Sequence, residues 1–173
     1  NIKVMKIEEV FDKFIKKYPD LDLKLASGGL ADVKGKNTSD VDITLFTETF
    51  EHLSDIFFDA LSIMPKNSNV IIYSYKYYGR EVNIYCTNDK KLAIRGTTHR
   101  RNELMLNKYP LLVSQAIMLK LNGLGTEPAW AKVLQLEGDP YEAMLIDEKK
   151  LEKIAVRINH KYENLINGLT KKN

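Results

Sequence analysis

The sequence predicts an α+β fold, with a small mixed β-sheet, flanking helices and a helical C-terminal half. Three observations lead there. Alternating or β-branched runs cluster before residue 90, apolar residues recur at helical spacing near the start and again from Thr98 onward, and no repeat, low-complexity tract or long linker interrupts the pattern. At 173 residues the chain suits one domain, 1–173, read as a sheet-containing core over 1–95 and a helical part over 96–173.

Each element follows from its residues. Val4, Ile7, Val10, Phe11, Phe14 and Ile15 keep helical spacing over 4–17, and Tyr18-Pro19 closes that helix. Between Asp22 and Ala26, leucines alternate with polar residues as in a half-buried strand. A polar loop over 27–38 leads to a strand over 40–46. Thr47 or Thr49 is placed to cap a helix running through Ile56-Phe57-Phe58 and Leu61-Ser62-Ile63. Residues 64–69 are turn material. Val70 to Tyr75 is strongly β-prone, and with Arg80 to Thr87 it predicts a hairpin turning around Tyr77–Gly79. Helices are then expected over 98–107, 110–122 with proline in the favoured first turn, 127–136 and 147–169.

Composition narrows the function classes. Hydrophobic content of 44% with 28% charged residues is that of an ordinary globular chain. No stretch approaches the roughly 20 apolar residues of a membrane helix, and the N-terminal residues carry no export signal. The single Cys86 excludes an internal disulfide framework and a cysteine-based zinc site, so a reducing, cytoplasmic compartment is expected, with no membrane partner. A net charge of +3 is too small to announce a nucleic-acid binder. Its distribution is more telling: 90–108 carries Lys90, Lys91, Arg95, Arg100, Arg101 and Lys108 against the single acid Glu103. Such a run makes either a solvated face or a phosphate-facing one.

The most specific signal is a spacing. Ten residues separate Gly28-Gly29 from Asp40-Val41-Asp42-Ile43. On a strand, side chains at i and i+2 share a face, so Asp40 and Asp42 stand together while Val41, Ile43 and Leu45 pack beneath. Mg²⁺, or Mn²⁺, takes hard oxygen ligands, usually one or two carboxylates plus phosphates and water. Two glycines just upstream allow φ > 0 and close backbone approach to a phosphate. Ser27 and Ser39 offer hydroxyls, and Lys34 and Lys36 offer cations, to the same triphosphate; solvated loop positions are the alternative for all four.

Gly28-Gly29 with Asp40-Val41-Asp42-Ile43 resembles the signature of the DNA polymerase β-type nucleotidyltransferase superfamily. Gly29-Leu30-Ala31-Asp32 and Gly35-Lys36-Asn37-Thr38 are more distantly similar to the aminoglycoside and lincosamide nucleotidyltransferases. The tail, with Gly125-Thr126-Glu127-Pro128-Ala129-Trp130-Ala131 and Gly138-Asp139-Pro140-Tyr141-Glu142-Ala143, is similar to an uncharacterised bacterial domain family grouped with these enzymes, and GrpB-like proteins are a further, weaker likeness. The motif spans only about residues 25–46. The resemblance implies a nucleotidyltransferase-type sheet and Mg²⁺- or Mn²⁺-dependent transfer of a nucleoside monophosphate from an NTP to an acceptor. That acceptor, whether small molecule, tRNA or protein, is not written in the sequence, and neither is the oligomeric state.

The resemblance also implies a third carboxylate on a neighbouring strand, and here the chain departs. In Arg80-Glu81-Val82-Asn83-Ile84-Tyr85 the aligned position is Asn83, an amide that cannot act as a base. Glu81 shares its face about 7 Å along the strand. Two readings follow: Glu81 substitutes for the third carboxylate, or the protein is a degenerate binding or regulatory, antitoxin-like module. The candidate set is therefore Asp40 and Asp42 for metal, with Glu81 and Asn83 as catalytic positions. Ser27, Gly28, Gly29, Lys36, Ser39, Arg95, Arg100 and Arg101 are assigned to the nucleotide. Trp130 is read as core, Asp139 as a helix cap, and Lys120 as either a surface group or one aimed at the acidic site.

Overall fold

The computed structural model describes residues 5–26, 28–30, 40–64 and 69–171. It comprises two compact units, Asn1–Arg100 and Arg101–Asn173.

The first unit is built on a five-stranded mixed sheet. Its strands are β1 (Leu23–Leu25), β2 (Val41–Phe46), β3 (Leu61–Ile63), β4 (Val70–Tyr77) and β5 (Arg80–Thr87), in spatial order β1-β2-β5-β4-β3. Only β2 and β5 run parallel; the other neighbours are antiparallel. The β4–β5 hairpin closes on Tyr78 and Gly79, with φ of 51° and 79°. Positive φ at both loop residues is the primed-turn geometry whose twist matches that of paired strands.

One sheet face is the core. Val41, Ile43 and Leu45 alternate inward on β2, and Val82, Ile84 and Cys86 do so on β5, all at most 2% exposed. Helix α1 (Ile7–Lys17) lays Ile7, Val10 and Phe14 in the same hydrophobic cluster. Glu8 and Glu9 in its first turn and Lys16 and Lys17 in its last complement the helix dipole. Aromatic rings extend the contact, with Phe14 5.0 Å from Tyr77 and Phe57 5.0 Å from Tyr73. The buried Arg80 ties the hairpin to the chain ahead of α1, its Nη1 donating to the Met5 carbonyl at 2.9 Å.

Two expected elements are revised. The helix through residues 56–63 is a single turn, α2 (Leu53–Ile56), followed by strand β3. Thr47 hydrogen-bonds the Thr49 carbonyl at 2.7 Å rather than capping α2, whose N-cap is His52 at φ 67°. Phe57, Phe58 and Leu61 have helical spacing, yet Phe57 is buried and the chain turns at Ala60, whose N–H donates to the Phe57 carbonyl at 3.0 Å. β3 then pairs with β4 as a fully exposed edge. The second revision is α3 (Lys90–Leu106), which begins eight residues before the expected Thr98. Asp89 accepts a hydrogen bond from Lys91 N–H at 2.9 Å, and this first turn carries too few apolar residues to show a period.

The second unit is helical, with α4 (Pro110–Leu121), α5 (Thr126–Val133), α6 (Pro140–Ala143) and α7 (Glu148–Lys171). Trp130 is fully buried, as expected of a core residue. Asp139 caps α6 by accepting from Tyr141 N–H at 3.0 Å. Lys120 donates to Thr126 Oγ1 at 2.8 Å, a contact between the end of α4 and the start of α5.

Candidate functional site

β1 leads out of the sheet beside the carboxylates. Leu25 pairs with Ile43, and the next residue, Ala26, donates its N–H to the Asp42 carbonyl at 2.8 Å. The glycine turn is thereby fixed next to Asp42. Gly28 has φ +101°, and a Cβ there would collide with Ile7 Cδ1 of α1. Both facts demand glycine, so this residue is required by packing as much as by any ligand.

Asp42 lies opposite the core-facing Val41 and Ile43, on the second face of the sheet. The parallel ladder places it beside Asn83, and Asn83 pairs in turn with Ser74 of β4. Asn83 Nδ2 donates to Asp42 Oδ1 at 3.4 Å, while Ser74 Oγ donates to Asn83 Oδ1 at 2.6 Å. The amide is only 8% exposed and thus bridges a hydroxyl and a carboxylate within the sheet. Asp40, just ahead of β2, is exposed.

Glu81 belongs to the same cluster. Its carboxyl is held above the usual range chiefly by the Asp40 charge and a hydrogen bond with Asp40, then by slight burial and by Asp42; Lys76 across the hairpin pulls the other way. Tyr85, two residues beyond Asn83 on the same face, was not anticipated. Burial first, then the charges of Asp42, Asp40 and Glu81, push its phenol up to about 12, so it stays protonated as a hydrogen-bond donor. Its i+2 relation to Asn83 was the available signal.

The donor set suits a hard divalent ion held by two carboxylates with phosphate and water completing its sphere. It does not make an all-protein cage: among the described residues no group of three or more His, Cys, Asp or Glu side chains is placed to hold a metal.

The basic segment is divided. Arg100 is 6% exposed, ion-paired to Glu8 of α1 at 3.1 Å, and its Nη1 lies 3.6 Å from where a Gly28 Cβ would sit. It therefore reaches the glycine turn. Arg101 instead meets Glu148 at 3.5 Å within the second unit, and Arg95 is half-buried on α3. Gly29 is buried in the first helical residues after the turn. Ser27, Lys34, Lys36 and Ser39 lie outside the described residues.

No helix of the described residues is long and apolar enough to cross a membrane. No curated protein matches the sequence. The family model described as a domain of unknown function, DUF4269, matches residues 13–146, from α1 through α6 and so across both the carboxylate cluster and the helical part. With well over half of its length matched, the chain belongs to the DUF4269 family.

Proposed function

We propose that this chain binds a nucleoside triphosphate with Mg²⁺ or Mn²⁺ and transfers the nucleoside monophosphate to an acceptor. The observation that carries the reading is the Ala26–Asp42 backbone bond, which holds the chain entering the Gly28-Gly29 turn beside the acidic strand. Asp40 and Asp42 would hold the metal, which when bound supplies charge neutralisation on the phosphates. The Gly28-Gly29 turn would contact phosphate oxygens through backbone N–H groups, and Arg100 would offset their charge from beside it. Glu81 would take the acceptor proton, since a carboxyl with a raised pKa is a better base than a free one.

A second reading is favoured by one observation, the neutral Asn83 bound to Asp42. On it the chain is a nucleotide-binding or regulatory module without transfer. Equilibrium titration of the four NTPs with and without Mg²⁺ tests the shared part of both readings. We expect metal-dependent binding that Asp42→Asn weakens by about tenfold or more while the thermal midpoint holds. Equal binding by that variant would overturn the site. Transfer lost in Glu81→Gln supports the enzyme; absence of transfer in wild type with gain in Asn83→Asp supports the module.

A further inference from the structure

Gly96 is a point of very close approach between α3 and the β1–β2 corner of the sheet. A methyl group built there would lie 2.7 Å from Ala26 Cβ and 3.4 Å from Thr44 Oγ1. One helical turn earlier, at Ala93 and Ile94, helix and sheet have parted, and a cavity of about 320 Å³ opens between them. Thr44 of β2 is part of its lining; it is 5% exposed, and its hydroxyl has no hydrogen-bond partner among the described residues. Phe46, two residues on along the same face, lines it as well, with Lys90 Nζ 5.7 Å from the ring centroid. Lys24 of β1 is a further lining residue, and it is ion-paired to Asp22 at 3.4 Å. Two cations against one acid leave this opening positive.

We propose that this cavity is a binding site for a small planar aromatic anion, its ring against Phe46 and its anionic group at Lys24 and Lys90. The volume lies near the lower end of ligand pockets, about 300–1,000 Å³, which suits one ring system and not a polymer. Phe46 and Ile94 supply apolar contact for a flat ring, and the lysines supply the charge complement. Thr44 adds a polar requirement: a ligand edge that bonds its hydroxyl satisfies it, whereas an aliphatic filler leaves it unpaired. The site includes none of Asp40, Asp42, Glu81 or the glycine turn among its lining residues, so it does not rest on the nucleotide reading.

The test is saturation-transfer NMR on the whole chain, without metal or NTP, using 4-hydroxybenzoate and phenyl phosphate as probes. Ring protons of both should receive saturation, cyclohexanecarboxylate should bind more weakly, and excess inorganic phosphate should not displace the rings. Ala93→Leu, a good helix former that fills the cavity, should weaken binding by about tenfold or more; Lys90→Met should weaken it by about threefold. If Ala93→Leu loses the fold, Ile94→Trp narrows the cavity from a position that is 59% exposed. Unchanged binding in the folded cavity-filling variant, displacement by phosphate alone, or no ring saturation in wild type each overturns the proposal. Because no nucleotide is present, failure of NTP binding leaves this outcome unaffected.

Discussion

Asn83 and Asp42 are direct neighbours in the parallel β2–β5 ladder, and the Asn83 amide donates to the Asp42 carboxylate at 3.4 Å. The long distance marks a weak bond in itself. Its consequence is electrostatic: the position nearest Asp42 is neutral, and the remaining negative charge sits with Asp40 and Glu81 at the start of the two strands.

Asn83→Asp should destabilise the metal-free protein. The substitution exchanges a donor to Asp42 for a like charge at an 8% exposed position, at an expected cost of about 1–2 kcal/mol at pH 7. Denaturant midpoints at pH 7 and pH 4.5 check this. The loss should shrink at the lower pH, where the new carboxyl protonates, and a divalent ion should recover part of it at pH 7.

Glu81→Gln should change the pH dependence of stability. Glu81 has a folded pKa raised by Asp40 and Asp42. A folded value above the unfolded one, about 4.3, gives stabilisation that is fully present below the unfolded pKa and lost as pH rises through the folded pKa. At pH 7 the wild type therefore carries a repulsion that the glutamine variant lacks. Thermal midpoints from pH 4 to 8 should show the variant higher at neutral pH, with the gap closing towards pH 4. A parallel pair of curves would contradict the Glu81–Asp40 interaction.

Gly28→Ala should be severely destabilising. The residue sits at φ +101°, where a side chain is strained, and a Cβ would enter the space of Ile7 in the core. Strain of about 1–3 kcal/mol adds to the packing conflict. A urea midpoint measures the sum, and a near-neutral result would mean that the turn is held less tightly than the Ala26–Asp42 bond indicates.

At Gly96 two effects oppose. Alanine is the better helix residue by about 1 kcal/mol. Its methyl would lie 2.7 Å from Ala26 Cβ, which is anchored to a strand end and cannot swing aside. Overpacking of about 1–3 kcal/mol should win, so Gly96→Ala is expected to be destabilising. A stabilised variant would show that α3 shifts freely from the sheet.

Local patterning wrote much of this molecule. The alternation of Val41, Ile43 and Leu45 chose the buried face of β2 and thereby put Asp42 on the other, because a strand has period two. The α+β class, the β4–β5 hairpin and the burial of Trp130 were legible for similar reasons. Only tertiary structure decided the rest. Phe57, Phe58 and Leu61 are spaced for a helix, yet pairing of Leu61–Ile63 with β4 made a strand, since a backbone ladder outweighs a short period. Helix α3 was hidden because the apolar residues of its first turns, Leu92-Ala93-Ile94, are consecutive rather than helically spaced and sit among basic residues. Which residues meet was equally beyond local reading: Arg100 with the Gly28 turn and Glu8, 92 positions earlier, Arg101 with Glu148, Glu81 with Asp40. Periodicity fixes the face a side chain takes on its own element; the register between strands and the approach of a helix at one glycine fix what it faces there.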